Sequence, residues 1–286
     1  MIRHLGVVGA GTTGTGIAQA AVLSKIDVAL YDVNGTLLRQ ALERIKAEFR
    51  RRVESGELKR EETSEAFTRI HPRTHLSDLN HCEIVAEAVI EDLRVKKDLF
   101  RHLEADTKPS TILASTTSTL SITAIASATR SPERVVGTHF LNPAHGAGLV
   151  EIVQGQQTSE IAVRVARELV DQLGKKLIVV KDSPGFVVQR VSQALYGEAL
   201  RLLGENVAAV EEIDRIVKIQ GGFASGPFEQ MDTVGLDVLL ATAQSLYDEY
   251  GSEARFRPHA IHKRMVQSGM LGKRTGQGFY KYNQGK

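Results

Sequence analysis

Gly9-Ala10-Gly11-Thr12-Thr13-Gly14 constrains this chain more than any other stretch of its 286 residues. The run follows a short apolar segment, residues 2–8, that suits a strand of a parallel sheet, and it precedes an alanine-rich helical stretch, residues 15–24. A second apolar strand over 26–31 comes next, and Asp32 stands at its end, 18 residues past Gly14. Each part has a task in binding a dinucleotide. Gly9 permits the tight strand-to-helix turn, Gly11 lets the backbone approach a pyrophosphate, and Gly14 lets the helix pack close to the sheet. The N–H groups that open the helix then face phosphate charge. Asp32 can bond both ribose hydroxyls, and its charge repels a 2′-phosphate, which favours NAD over NADP. FAD and NADP are the nearer rivals. The plainer alternative is a βαβ turn of another α/β protein, with Asp32 capping a helix from Asn34 onward.

Further apolar strand candidates fall at 84–86, 111–114, 134–138, 149–153 and 176–180, and helical patterns at 37–53, 93–103, 122–128 and 161–173. That alternation predicts a doubly wound, Rossmann-type parallel sheet wrapped by helices. From Ser183-Pro184-Gly185 the texture changes. Residues 187–204, 209–219, 234–250 and 259–268 read as helices, broken by Gly221-Gly222, Ser225-Gly226-Pro227 and Gly251-Ser252. The expected organisation is α/β over 1–183 and all-α over 184–286.

Charge narrows the function classes. Lys and Arg total 36 against 34 Asp and Glu, a net charge of +2 that argues for neither nucleic acid nor an anionic membrane. No apolar run approaches a membrane span and no signal-peptide pattern opens the chain, so a cytoplasmic enzyme or binding protein is expected. The one cysteine, Cys82, excludes an intrachain disulfide and a CxxC zinc site. The charged stretch from Glu48 to Arg60 reads mainly as a solvated helix face. Its three consecutive arginines, 50–52, point in different directions, so one phosphate cannot face all three.

Two segments carry candidate chemistry. Ser115-Thr116-Thr117-Ser118-Thr119 is a hydroxyl-rich loop directly after a strand, at the sheet end where ligands of doubly wound folds bind. Capping of a helix from Ile122 explains one or two of these hydroxyls, not the whole run. In the second segment His139 ends one strand and Glu151 begins the next, across a short connection holding Asn142 and Pro143. An antiparallel return there brings imidazole and carboxylate within bonding distance, an arrangement that suits a general base. Metal is not expected: Pro72 breaks the helix that would put His71 and His75 on one face, and His139 and His145 have no converging third ligand.

The glycine-rich start, the serine loop, His139-Phe140-Leu141-Asn142-Pro143, Leu149-Val150-Glu151-Ile152, Asp182-Ser183-Pro184-Gly185-Phe186, Gly226-Pro227-Phe228-Glu229 and Gly276-Gln277-Gly278-Phe279-Tyr280 together resemble the short-chain 3-hydroxyacyl-CoA dehydrogenases. The match runs in order along essentially the whole chain. What the resemblance implies is NAD-dependent oxidation of a short (S)-3-hydroxyacyl-CoA, such as 3-hydroxybutyryl-CoA, to the 3-oxoacyl-CoA. His139 matches the family's base and Glu151 the carboxylate that orients it. Ser118 matches the serine that bonds the substrate's 3-oxygen, and Asn142 an amide at the same site. Glu91 and Lys96 match cofactor-contacting positions, and Arg51 a basic residue near coenzyme A phosphates. The helical domain is implied to close the cleft and to form a homodimer.

This chain departs from the family pattern in places. The serine loop carries Thr116 where the family has asparagine and Thr119 where it has serine. Gln189 replaces a substrate-contacting asparagine, offering the same donors and acceptors one methylene further out. These changes keep a second enzyme reading open, the same machinery acting on a non-CoA hydroxy acid or polyol acid of the L-gulonate or carnitine type. Retention of His139 and Glu151 argues against a non-catalytic relative of the lens-crystallin kind.

Overall fold

Strands β1 (His4–Val8), β2 (Asp27–Tyr31), β3 (Ile70–Arg73), β4 (Ile84–Glu87), β5 (Ile112–Ser115), β6 (Val135–Phe140), β7 (Leu149–Gln154) and β8 (Lys176–Lys181) form one sheet in the order β3-β2-β1-β4-β5-β6-β7-β8. The computed structural model describes residues 1–141, 144–146 and 148–282. These divide into two compact units, Met1–Ser183 and Pro184–Lys286. Pairing is parallel throughout except between β6 and β7, which run antiparallel. The order reverses at β1: the chain builds outward to β2 and β3 on one side, then returns to add β4 and β5 on the other. Helices α1 (Thr12–Leu23), joining β1 to β2, and α4 (Leu93–Asp106), joining β4 to β5, therefore cross in opposite directions. With right-handed crossovers they cover opposite faces of the sheet.

The main core lies between the sheet and α1, α2 (Gly35–Glu54), α3 (Arg60–Thr68) and α6 (Glu160–Gln172). Buried Ile17, Ala21, Leu38, Ile45, Phe49, Ala166 and Leu169 meet strand residues such as Val7, Val28, Leu30, Ile84 and Ile152 there. The central strands are apolar on both faces, as a sheet covered twice requires. A short helix, α5 (Ile122–Ala126), begins with Ser121 accepting from the Ala124 N–H, so its cap comes from just outside the hydroxyl run of 115–119.

One expectation needs correction in this unit. His71 does not sit near a broken helix: it and Pro72 belong to β3, the edge strand of the sheet, where a residue without an N–H is tolerated. The charged stretch from Glu48 is a helix end and turn, as expected: α2 runs to Glu54, and a separate α3 begins only at Arg60. Its arginines do point apart, Arg51 pairing with Glu48 and Arg52 with Glu57.

The second unit comprises α7 (Val188–Gly204), α8 (Val210–Gly221), α9 (Pro227–Val234), α10 (Leu236–Glu249) and α11 (Ala260–Gln267) around a core that includes Tyr196, Leu200, Ile213, Phe228, Met231 and Leu239. Ser225-Gly226-Pro227 is expected only as a break between helices. Pro227 instead opens α9, where its fixed φ fits and its missing N–H is no loss. Buried Asp214 caps this helix by accepting from the N–H groups of Phe228 and Glu229 at 2.8 and 3.0 Å. Buried Asp232 accepts from the N–H groups of Phe279 and Tyr280 and from the Tyr282 hydroxyl. A Cβ on Gly278 would stand 2.0 Å from the Asp232 carboxylate. The two glycine-aromatic motifs of this unit are thus fastened by buried aspartates, and their role here is structural.

Candidate active site

The order reversal at β1 sets the carboxyl ends of β1 and β4 side by side, and the glycine run leaves β1 at that point. Gly9 has φ +105°, and a Cβ there would lie 2.5 Å from the Ala88 carbonyl oxygen. A Cβ on Gly14 would lie 1.9 Å from the Gly9 oxygen. Both positions therefore exclude any side chain. Gly11 differs: a Cβ there meets nothing within 4 Å, and Gly11 is the N-cap of α1 with no side chain bonded to the helix's first N–H groups. Open space over an uncapped helix N-terminus fits a pyrophosphate.

Asp32 follows β2 and is buried. Its oxygens accept from the N–H groups of Ala10 and Asn34, each at 2.8 Å, which fixes the carboxylate beside the glycine run. It does not cap α2. Asn34 does so, accepting from the N–H groups of Thr36 and Leu37. Arg44, which the sequence reading passes over, donates to the Ala10 carbonyl at 2.6 Å and steadies the same turn. These residues fit an adenosine ribose and a diphosphate.

His139 and Glu151 stand directly opposite one another in the antiparallel pair. His139 Nδ1 lies 2.6 Å from Glu151 Oε2, with both side chains buried. The carboxylate fixes the ring's orientation and assigns the Nδ1 proton, leaving acid–base exchange to Nε2. Asn142 lies outside the described residues.

The hydroxyl loop after β5 is organised by Glu91. Its Oε1 accepts from the Thr117 hydroxyl and from the N–H groups of Ser118 and Thr119, the latter two at 3.0 and 3.4 Å. Desolvation pushes the Glu91 carboxyl upward, but the Lys96 charge and the donors from Thr117 and Ser118 outweigh it and hold the group below its ordinary value. Lys96, in the first turn of α4, is 1% exposed, 3.4 Å from Glu91 and 2.6 Å from Glu87. Glu87 is the other residue that the sequence reading misses. Its signal is a glutamate closing an apolar run, Ile84-Val85-Ala86. The Ser118 Oγ makes no hydrogen bond among the described residues and is half-buried at the carboxyl end of the sheet.

Arg51 is exposed and bound through two hydrogen bonds to Glu48, at 2.7 and 2.9 Å, one turn earlier on α2. Glu48 also lies 3.6 Å from His145 Nε2. Gln189 is half-buried in the first turn of α7. It follows Pro184-Gly185-Phe186, where both Gly185 and Phe186 have left-handed φ values of 71° and 49°. Among the described residues no three of His, Cys, Asp and Glu are grouped to hold a metal ion, and no helix is long and apolar enough to cross a membrane.

The model of the 3-hydroxyacyl-CoA dehydrogenase NAD-binding domain matches residues 4–183, and the model of the same family's C-terminal domain matches residues 185–282. The chain is 37% identical over 286 residues to the 3-hydroxybutyryl-CoA dehydrogenase of Bradyrhizobium diazoefficiens, covering all of this chain and 97% of that protein. It is 39% identical over 279 residues to the 3-hydroxyadipyl-CoA dehydrogenase of Escherichia coli, covering 98% of this chain and 59% of that one. The crystal structure of (S)-3-hydroxybutyryl-CoA dehydrogenase from Ralstonia eutropha superposes with a TM-score of 0.93 at 36% identity, covering 99% of this chain and all of the other. Both units are matched along their length: the chain belongs to the 3-hydroxyacyl-CoA dehydrogenase family and is an NAD-dependent oxidoreductase.

Proposed function

We propose that this chain oxidises (S)-3-hydroxyacyl-CoA with a short acyl group, such as 3-hydroxybutyryl-CoA, to the 3-oxoacyl-CoA. The observation that carries the reading is the buried His139–Glu151 pair, 2.6 Å apart, in the sheet whose carboxyl ends also bear the glycine run and the hydroxyl loop. NAD, when bound, supplies the acceptor for the hydride that leaves C3. His139 Nε2 takes the 3-hydroxyl proton as the C–O bond becomes a carbonyl, and Glu151 stabilises the resulting imidazolium. The Ser118 hydroxyl bonds the 3-oxygen, and Asn142 and Gln189 are assigned to the substrate. Asp32 is assigned to the adenosine ribose, Gly9, Gly11 and Gly14 to the pyrophosphate turn, and Glu91 and Lys96 to the nicotinamide half. Arg51 meets coenzyme A phosphate by exchanging its Glu48 partner for the ligand.

In this reading residues 1–183 hold NAD, and 184–286 serve the substrate and a homodimer. The dimer is supported by large apolar side chains left exposed on the helical unit, among them Val191, Ile216 and Ile219 at 63%, 59% and 74%. A cytoplasmic setting agrees with Cys82, a buried free thiol. The test follows nicotinamide absorbance with acetoacetyl-CoA plus NADH, and separately with L-gulonate or carnitine plus NAD. Acetoacetyl-CoA is expected to be turned over far faster. Preference for either free acid would replace this substrate assignment with the non-CoA one.

A further inference from the structure

Glu87 is fully buried at the end of β4, and none of the roles above uses it. In the parallel register it stands beside Ser115, the last residue of β5, so both close their strands at the carboxyl edge of the sheet. Three donors converge on its carboxylate. Lys96 Nζ at 2.6 Å and the Val89 N–H at 2.8 Å reach Oε1, and Ser115 Oγ at 2.6 Å reaches Oε2.

Two lines of contact leave this carboxylate. One runs through Lys96 to Glu91, whose other oxygen holds the loop at Thr117, Ser118 and Thr119. The second runs through Ser115 Oγ, which accepts from the Thr117 N–H at 3.4 Å. A buried ion pair is not needed for stability, because desolvating both charges offsets their attraction and apolar side chains can fill the same space. What this pair does instead is divide one ammonium unequally between two carboxylates, 2.6 Å from Glu87 and 3.4 Å from Glu91. Glu91 is thereby left to the loop. Without the charge on Glu87, the strongest partner remaining to Lys96 is Glu91, and closing that gap draws Glu91 away from the loop N–H groups.

We propose that Glu87 is a positioning residue for the reaction. By holding Lys96 and Ser115 from inside the sheet, it fixes where Glu91 and the Thr116–Thr119 loop stand, and so sets cofactor affinity and the placement of Ser118 without touching either ligand. The proposal rests on the assignment of Glu91 and Lys96 to NAD and of Ser118 to the substrate.

Glu87→Gln isolates the charge. Its amide oxygen can keep Lys96 and Val89, and its NH2 can donate to a turned Ser115 hydroxyl, so the ligand-free protein should melt within a few degrees of wild type. NADH binding, read by its fluorescence, is expected to weaken about tenfold, with kcat falling by a similar factor. Lys96→Met supplies the second corner of a double-mutant cycle. If Glu87 acts through Lys96, the double variant binds NADH no more weakly than Lys96→Met alone, whereas a merely structural glutamate gives additive losses. Should Glu87→Gln fail to fold, Ser115→Ala tests the second line: kcat is expected to drop several-fold with NADH affinity unchanged. Wild-type affinity and kcat in a folded Glu87→Gln, additivity in the cycle, or wild-type kcat in Ser115→Ala would each overturn the proposal. A wild type that binds no NADH would sink the functional reading itself, a result distinct from a variant that matches an active wild type.

Discussion

Glu151→Gln separates the charge of the central pair from its shape. The glutamine fills nearly the same volume, and its amide oxygen can still accept from the Nδ1–H of His139, so ring orientation and tautomer survive. What disappears is the negative charge 2.6 Å from the ring in a site where neither residue is more than 4% exposed. The charge matters most when the ring takes up the substrate's proton. In the transition state it gains a proton, and the loss falls there. Hydrogen bonds to charged groups contribute about 1.5–3 kcal/mol, and unit charges about 4 Å apart at a protein-like dielectric interact by about 4 kcal/mol. Taking about 3–4 kcal/mol for the missing stabilisation, at about 1.36 kcal/mol per tenfold, kcat should fall by two to three powers of ten. The assay is acetoacetyl-CoA reduction at saturating NADH, with NADH affinity measured alongside and expected to stay within about twofold, since the pair is not in the pyrophosphate turn. A folded Glu151→Gln enzyme that keeps wild-type kcat would refute this electrostatic account of the base.

The glycine run gives a paired test. Gly11→Ala should leave the melting temperature unchanged, because its Cβ meets nothing within 4 Å, yet weaken NADH binding about tenfold or more where the phosphate must approach. Gly14→Ala should destabilise the fold itself, since its Cβ would stand 1.9 Å from a carbonyl oxygen, and equal melting temperatures for the two variants would contradict the geometry. Asp32→Ala should weaken NADH binding while improving NADPH relative to it, and an unchanged ratio would mean that another group makes the choice. In the helical unit, burial and the carboxylates that accept from them push up the phenols of Tyr280 and Tyr282, beside Asp214 and Asp232. The folded chain therefore holds these protons to higher pH than the unfolded chain, whose phenols ionise near 10.0. Their contribution to stability is complete below that pH and declines as pH rises above it. Urea melts from pH 8 to about 11 should show the decline, and Tyr280→Phe should flatten it.

Much of the fold is legible because local pattern and tertiary role agree. The strand, glycine run, helix, strand and acid of the first thirty-odd residues each need one residue type for one reason, and the antiparallel return that pairs His139 with Glu151 follows from two apolar runs joined by a short proline-containing connection. The misses have physical causes. Pro72 argues against a strand unless the strand is an edge, and edges are a property of the assembled sheet. Pro227 marks a break or a helix start, and only the Asp214 cap decides which. Helix α3 is short and mostly polar, burying only Thr63 and Ala66, so its pattern barely differs from the turn before it. The network beneath the loop is hidden for another reason. Glu87, Lys96 and Ser115 come from two strands and a helix, and nothing along the chain announces that a glutamate at a strand end and a lysine nine residues later share one buried contact.

His139→Asn, assayed beside wild type with (S)-3-hydroxybutyryl-CoA and NAD and with NADH affinity determined for both, tests the central claim most directly. Wild type should oxidise the alcohol, and the variant should bind NADH as before while losing at least about two powers of ten in turnover. A well-folded variant that oxidises the substrate at the wild-type rate would contradict the account.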